Sequence, residues 1–182
     1  MLNRKKRRMG RNIELKAHCA DLGTAHGIAQ ALGATLHSVE RQHDTYFRVE
    51  RGRLKLRQRW LYGREQPSEL IWYERPDATY ARASDYTLVQ LDNGAALGSV
   101  LRNALGVVVE VAKQRTVYLY DNVRIHLDEV TGLGTFLEFE AIVDAACDDA
   151  NAHAKLERLR VAFAIQPEHV VSVSYADLLR DR

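Results

Sequence analysis

The chain of 182 residues is poor in the features that stabilise small secreted domains or mark membrane spans. Its two cysteines, Cys19 and Cys147, lie far apart and match no metal-ligand spacing. No apolar run approaches the length of a membrane span, and no secretory signal follows the first residues. These observations predict a cytoplasmic protein with reduced thiols and no membrane partner.

Three common catalytic signatures are also missing. The sequence contains no Walker A loop, no H-E-x-x-H helix and no G-x-S-x-G elbow. It shows no internal repeat and no linker composition. Candidate functional residues must therefore be found from the pattern of charges along the predicted elements.

Basic residues are concentrated at the start of the chain. Five of the 26 lysines and arginines lie in residues 4–8, and the other 21 stand against 24 acidic residues, a net charge of −3. We interpret residues 1–10 as a disordered basic leader and residues 11–182 as one domain. Because the body carries no basic excess, we expect no nucleic-acid partner.

Alternating apolar and polar residues predict most of the secondary structure. Strands are predicted over about 11–19, 36–49, 53–60, 70–77, 82–91, 107–119, 123–130 and 135–143. Helices are predicted over about 24–32, 92–105, 149–164 and 167–179. About eight short, regularly spaced strands favour an α+β fold, with an antiparallel barrel or strongly curved sheet and helices outside it.

The polar positions of five predicted strands are nearly all charged. These rows are Asn12, Glu14 and Lys16; Arg53, Lys55, Arg57 and Arg59; Lys113 and Arg115; Arg124, His126 and Asp128; and Glu138 and Glu140. One such row is most simply a solvated sheet face. Repetition on five strands favours rows that point into a barrel, where buried charges need water, mutual pairing and a charged ligand. Basic rows bind phosphate oxygens and paired carboxylates bind Mg²⁺, so the rows suggest a polyphosphate–metal complex.

The motifs in these strands resemble those of the CYTH superfamily, which includes class IV adenylate cyclases and triphosphatases. NIELK at 12–16 is similar to the E-x-E-x-K signature, with Asn12 in place of its first glutamate. Six further segments resemble the class IV cyclase branch: 52–58 (GRLKLRQ), 69–77 (ELIWYERPD), 82–86, 111–115 (V-x-K-x-R), 123–140 (VRIHLDEVTGLGTFLEFE) and 174–179 (SYADLL).

The resemblance implies an eight-stranded antiparallel barrel, the triphosphate tunnel, with flanking helices and Mg²⁺ or Mn²⁺ inside. The implied metal ligands are Glu14, Asp128, Glu138 and Glu140. The implied phosphate-binding residues are Lys16, Lys55, Arg57, Arg75, Arg82, Lys113, Arg115 and Arg124. Lys16, Arg57 and Arg115 are the implied catalytic residues.

Three functions remain open from the sequence. The first is the conversion of ATP to cyclic AMP and pyrophosphate, and the second is hydrolysis of thiamine triphosphate or tripolyphosphate in the same tunnel. The third is a domain that binds nucleotide or polyphosphate without turnover, because Asn12 lacks the signature charge. A homodimer also remains open.

Several single residues have two interpretations. His126 is either a proton shuttle or a structural histidine. Arg75 either binds phosphate or pairs with Glu74 or Asp77 on the surface. Four aromatic residues either cap a nucleobase or pack at the rim of the barrel: Tyr46, Phe47, Trp72 and Tyr73.

Overall fold

The strands form where the sequence alternates with a period of two. The computed structural model describes residues 7–78 and 80–182. In this part of the chain the strands are β1 (Arg7–His18), β2 (Thr35–Phe47), β3 (Arg53–Leu61), β4 (Arg64–Glu65), β5 (Ser68–Glu74), β6 (Arg82–Leu91), β7 (Val107–Tyr120), β8 (Val123–Val130) and β9 (Gly134–Val143). The helices are α1 (Leu22–Ala31), α2 (Gly94–Leu105), α3 (Asp149–Ala162) and α4 (Tyr175–Arg180).

Eight of these strands close into an antiparallel barrel. Their order is β2-β7-β8-β9-β1-β6-β5-β3, and pairing between β3 and β2 completes the ring. The two-residue strand β4 extends the end of β3. The predicted barrel with flanking helices is therefore confirmed. Closure removes free strand edges and gives every strand one inward and one outward face.

The main hydrophobic core lies outside the barrel, under helices. Outward side chains such as Ile125 on β8 and Phe139 on β9 are fully buried in one cluster with Leu156 of α3 and Ala29 of α1. In α3 the buried positions Ala152, Leu156 and Leu159 share one helix face, which packs on β9 and β1. Because the apolar residues of these strands face the helices, the alternating charged residues face inward.

A second apolar cluster closes one end of the barrel. Phe136 of β9 packs edge-on against Tyr175 of α4, with ring centroids 4.9 Å apart, next to Val130 and Val171. The backbone N–H of Val171 donates to the carbonyl of Lys16 at 2.8 Å and ties the α4 segment to β1. The inward surface is thus apolar at this end and polar beyond it.

The C-terminal helix differs from the prediction. Instead of one helix over 167–179, the chain forms a 3-10 turn at Pro167–His169, then an extended segment, then α4. The extended segment forms because Val170 makes a β-bridge with Ala17. Ser174 and Asp177 then start a new helix through a reciprocal capping box.

The chain start also differs from the prediction. The first strand begins at Arg7 rather than residue 11, and residues 7–10 pair with Val89, Leu88, Thr87 and Tyr86 of β6. The disordered-leader prediction is therefore wrong for residues 7–10, and its remaining residues, 1–6, lie outside the described part of the chain. No helix in residues 7–78 and 80–182 is long and apolar enough to span a membrane.

Candidate functional site

The inward faces of all eight barrel strands enclose a cavity of about 450 Å³. Nine basic side chains line it: Arg8, Lys16, Lys55, Arg57, Arg59, Arg75, Lys113, Arg115 and Arg124. Five carboxylates line it: Glu14, Glu40, Glu69, Glu138 and Glu140. Basic side chains thus outnumber carboxylates in the lining by four, which favours a ligand with several negative charges.

Glu138 lies at the centre of one inward cluster. Its Oε2 accepts a hydrogen bond from Arg115 Nη2 at 2.6 Å, and its Oε1 lies 3.2 Å from Lys16 Nζ. Burial opposes ionisation, but Lys16 and Arg115 hold the pKa of Glu138 well below its usual range. Glu138 is therefore ionised, as a metal ligand must be.

Three side chains of this cluster can hold a divalent cation. One ligand atom each from His126, Glu138 and Glu140 lies within 4.8 Å of the others. Burial, and then Arg115, lower the pKa of His126, so its imidazole is neutral at neutral pH. Carboxylate oxygens are ligands that Mg²⁺ and Mn²⁺ prefer, and the neutral imidazole adds a third donor. The donor set therefore fits the implied metal.

Glu14 lies beside this cluster. It pairs with Arg75, and Arg82 Nε is 3.5 Å from its Oε1. Burial raises the pKa of Glu14, and the charges of Glu138 and Glu140 raise it further, against the effect of Arg75. A cation between these three carboxylates would relieve their mutual repulsion. The structure thus brings Glu138 and Glu140 together with His126 and leaves Glu14, a third predicted ligand, beside that cluster.

Asp128 is the predicted ligand that lies apart. Arg115 donates to both of its oxygens at 2.6 Å, and the Tyr175 hydroxyl donates to Oδ2 at 2.7 Å. The carboxylate is fully buried and is not among the described residues that line the cavity. Asp128 pairs with Phe136 in the register, whereas Glu138 lies two residues further along β9. Asp128 is therefore at the apolar end of the barrel. Asp128 therefore orients Arg115 from behind.

Seven of the eight predicted phosphate-binding residues line the cavity, and Arg82 does not. Arg82 is buried behind Glu14 and donates to the carbonyl of Ala78 at 2.6 Å. Arg75 faces inward to Glu14 rather than outward to its neighbours in sequence. The aromatic residues also divide, since Tyr46 and Tyr73 line the cavity while Trp72 donates to the carbonyl of Arg51 at 3.1 Å.

Sequence reasoning missed Asp44, which organises the basic side of the cavity. Arg57 donates to its two oxygens through Nε at 2.8 Å and Nη2 at 2.9 Å, and Lys55 Nζ donates at 3.0 Å. Lys113 Nζ lies 3.6 Å from Oδ2. One buried carboxylate thus holds three cations from two strands. In the sequence, Asp44 lies on the same strand face as Glu40 and Gln42. Both faces of β2 carry polar residues, so alternation alone did not show which face points inward.

Comparison with models of known protein families shows which family this chain belongs to. The chain matches the CYTH domain over residues 10–175. It belongs to the CYTH family. No curated protein sequence matches this CYTH chain.

Solved structures share the CYTH barrel. PH1012 protein from Pyrococcus horikoshii is 21% identical, with a TM-score of 0.78 over 92% of this chain and 98% of its own. A proposed adenylate cyclase from Vibrio parahaemolyticus is 19% identical, with a TM-score of 0.72 over 93% and 98%. A proposed adenylyl cyclase from Hippeastrum with a dominant triphosphatase activity is 16% identical, with a TM-score of 0.61 over 94% and 95%. At these identities the likeness establishes the fold.

Asn12 occupies the first position of the CYTH signature and faces the cavity. Its amide is satisfied when the oxygen accepts from Arg124 Nη2 at 3.1 Å and the nitrogen donates to the Arg11 carbonyl at 3.2 Å. Arg124 also pairs with Glu140 at 3.0 Å. Arg124 therefore lies between the uncharged amide of Asn12 and Glu140, one of the candidate metal ligands.

Lys113 should make ligand binding in the cavity depend on pH. Burial, and then Arg115, lower its pKa to about 7, although Asp44 opposes this. A bound phosphate would favour the ammonium form, so above pH 7 tripolyphosphate binding should take up about one proton at Lys113. Affinity should fall as the pH rises above 7. Calorimetry at pH 8 in buffers of different ionisation enthalpy measures the uptake.

The matched variant for this titration is Lys113→Met, because the ligand itself also exchanges protons when it binds. The uptake at Lys113 is the difference between wild type and variant under the same conditions. An identical proton uptake in both proteins would show that another group titrates.

Proposed function

We propose that this CYTH chain is a metal-dependent enzyme that acts on a triphosphate held inside the barrel. The observation that carries the proposal is the cavity lining, in which nine basic side chains surround a cluster of carboxylates and a neutral histidine. A triphosphate with a divalent cation matches both parts. Glu14, Glu138, Glu140 and His126 would hold the metal, which neutralises phosphate charge and polarises phosphoryl oxygens.

The basic residues would stabilise charge that develops on the phosphate oxygens. Arg57 uses Nε and Nη2 on Asp44, and Arg115 uses the same two nitrogens on Asp128. Each guanidinium is therefore fixed from behind, while its Nη1 is not used by that aspartate. Donors fixed before the reaction need little rearrangement as charge develops, which is the main source of electrostatic catalysis. Lys16, beside Glu138, is the third catalytic candidate.

Cyclisation of ATP is the first candidate reaction. The ribose 3′-oxygen attacks the α-phosphorus and loses its proton, the bond to the bridging oxygen breaks, and pyrophosphate leaves. The motif likeness over 52–58 and 123–140 supports this reaction, as does the barrel shared with the Vibrio protein.

Hydrolysis is the second candidate, with water attacking the terminal phosphorus and orthophosphate leaving. The Hippeastrum structure, which shares the barrel, combines a cyclase assignment with dominant triphosphatase activity. In addition, the three predicted catalytic residues, Lys16, Arg57 and Arg115, are all basic side chains suited to bind phosphate oxygens. Such a site hydrolyses a triphosphate whenever water reaches the terminal phosphorus.

The reaction products decide between the two. ATP labelled at the terminal phosphate is incubated with the enzyme and Mn²⁺, in parallel with thiamine triphosphate and tripolyphosphate. We expect labelled pyrophosphate together with cyclic AMP. Labelled orthophosphate without a cyclic nucleotide would establish the triphosphatase, and binding without any product would establish the non-catalytic domain.

A further inference from the structure

Gln42 presents an unused hydrogen-bond acceptor to the cavity. The side chain is 4% exposed and lines the cavity from β2. Its Nε2 donates to Glu40 Oε2 at 2.8 Å. A carboxylate only accepts, so this bond fixes the amide orientation and directs Oε1 elsewhere. Oε1 is buried and has no partner among the described residues. Buried acceptors of this kind are rare, and this one faces the cavity, so its partner is water or a bound ligand.

More acceptors lie around Gln42. Glu40 accepts from Ser38 Oγ at 3.0 Å, and the Arg59 guanidinium lies 3.6 Å from both Glu40 and Glu69. Burial opposes ionisation of Glu40, but the hydrogen bonds from Gln42 and Ser38 hold its pKa below the usual value. This part of the cavity therefore offers an amide oxygen and two carboxylates to a ligand that carries hydrogen-bond donors.

The acceptor lies next to the cations that face phosphate. Gln42 precedes Asp44 by two residues on the same face of β2, a step of about 7 Å. In the register it lies opposite Lys113 of β7 and Arg59 of β3. A ligand that satisfies both regions is anionic where it meets Lys55 and Arg57, which are held by Asp44, and carries a donor at Gln42, about one strand step of 7 Å along β2. Fully ionised tripolyphosphate has no donor, whereas a ribose attached to the α-phosphate has two hydroxyls at this separation, and a base lies farther away.

We propose that Gln42 Oε1, flanked by Glu40 and Glu69, accepts a hydrogen bond from a ribose hydroxyl of a nucleoside triphosphate. This inference rests on the proposed function, since it takes the phosphates to lie among Lys55, Arg57 and Lys113. It assigns the organic part of the substrate to the β2 side of the cavity. It also makes Gln42 a residue that distinguishes nucleotides from inorganic polyphosphate.

The test compares ligands as well as variants. Dissociation constants for ATP, 2′-deoxy-ATP, 3′-deoxy-ATP and tripolyphosphate are taken from thermal-shift titrations with Mg²⁺. Wild type should bind ATP about tenfold more tightly than at least one deoxy analogue, the usual effect of one hydrogen bond. Gln42→Met keeps the side-chain length, and it should lower this preference to less than about twofold while leaving tripolyphosphate affinity unchanged. Gln114→Met, on the exposed face of β7, is the matched control.

Two results would overturn the inference and leave the proposed function intact. One is equal affinity of wild type for ATP and both deoxy analogues, which needs no variant. The other is an equal loss of ATP and tripolyphosphate affinity in Gln42→Met. If wild type binds no triphosphate at all, the proposed function fails and the ribose assignment fails with it.

Discussion

Glu138→Gln should lower metal-dependent turnover by at least about 100-fold, because it removes a charged side chain from the proposed metal site. Wild-type activity should depend on Mg²⁺ or Mn²⁺, and removal of the metal with a chelator should abolish it. Addition of the metal should raise the unfolding temperature of wild type and leave that of the variant nearly unchanged. Rate measurements over a metal titration, with parallel thermal unfolding, check both parts.

The same substitution should destabilise the fold. From the sequence alone, with Glu140 two residues away, neutralising Glu138 would leave stability close to that of wild type or raise it, because like-charge repulsion is relieved. The structure reverses that expectation, because Glu138 lies 2.6 Å from Arg115 and 3.2 Å from Lys16. Removing one partner of a buried ion pair leaves uncompensated charge and costs roughly 3 kcal/mol.

Glu129→Gln is the control for this experiment, because Glu129 lies on the exposed face of β8 and should tolerate the change. Full activity of Glu138→Gln at limiting Mg²⁺ would remove Glu138 from the metal site. An unfolding temperature above wild type would mean that repulsion with Glu14 and Glu140 outweighs pairing with Lys16 and Arg115.

The sequence predicted the barrel because its signal is local. In β8 the residues Val123, Ile125 and Leu127 alternate with charged or polar residues, and the apolar set does face the helices. The start of β1 gave no such signal, because residues 7–10 read as part of a basic run. They form a strand because they pair with β6, which is distant in sequence, and local β-strand propensity does not predict such pairing.

The site was predictable in composition more than in arrangement. Alternation places Asp128 and Glu138 on inward faces, but it does not reveal which inward groups reach the open cavity. That depends on depth in the barrel, where Asp128 meets Tyr175 and Phe136 at the closed end. Asp44 was missed for a related reason: its role comes from cations on β3 and β7, which are distant in sequence.

Asp44→Asn should have the largest effect on stability of any single change at the basic side of the cavity. Burial opposes ionisation of Asp44, but Arg57, Lys55 and Lys113 hold its pKa well below the usual range. The neutral amide would leave Arg57 and Lys55 without their counter-charge and would lower the pKa of Lys113 further. Breaking such a buried network costs about 3–5 kcal/mol, so the unfolding temperature should fall by roughly 10 °C.

A ligand should restore part of this loss. Tripolyphosphate brings negative charge to the same cations, so it should raise the unfolding temperature of Asp44→Asn more than that of wild type. Asp85→Asn is the matched control, since Asp85 is an exposed partner of Arg11 with 60% of its side chain accessible. A surface pair of this kind contributes about 0–1 kcal/mol, and its removal should leave both stability and ligand response nearly unchanged.

The kinetics of Asp44→Asn should distinguish two roles of Asp44: positioning Arg57, and setting the net charge of the cavity. The variant lacks one negative charge in the cavity, so its affinity for the triphosphate should be equal to or tighter than that of wild type. Its kcat should nevertheless fall by about 100-fold, because Arg57 is no longer fixed by the two hydrogen bonds at 2.8 and 2.9 Å. Steady-state measurement of KM and kcat on the same triphosphate checks this split. A parallel loss of affinity with kcat unchanged would show that Asp44 serves binding alone, and wild-type values for both would exclude it from the site.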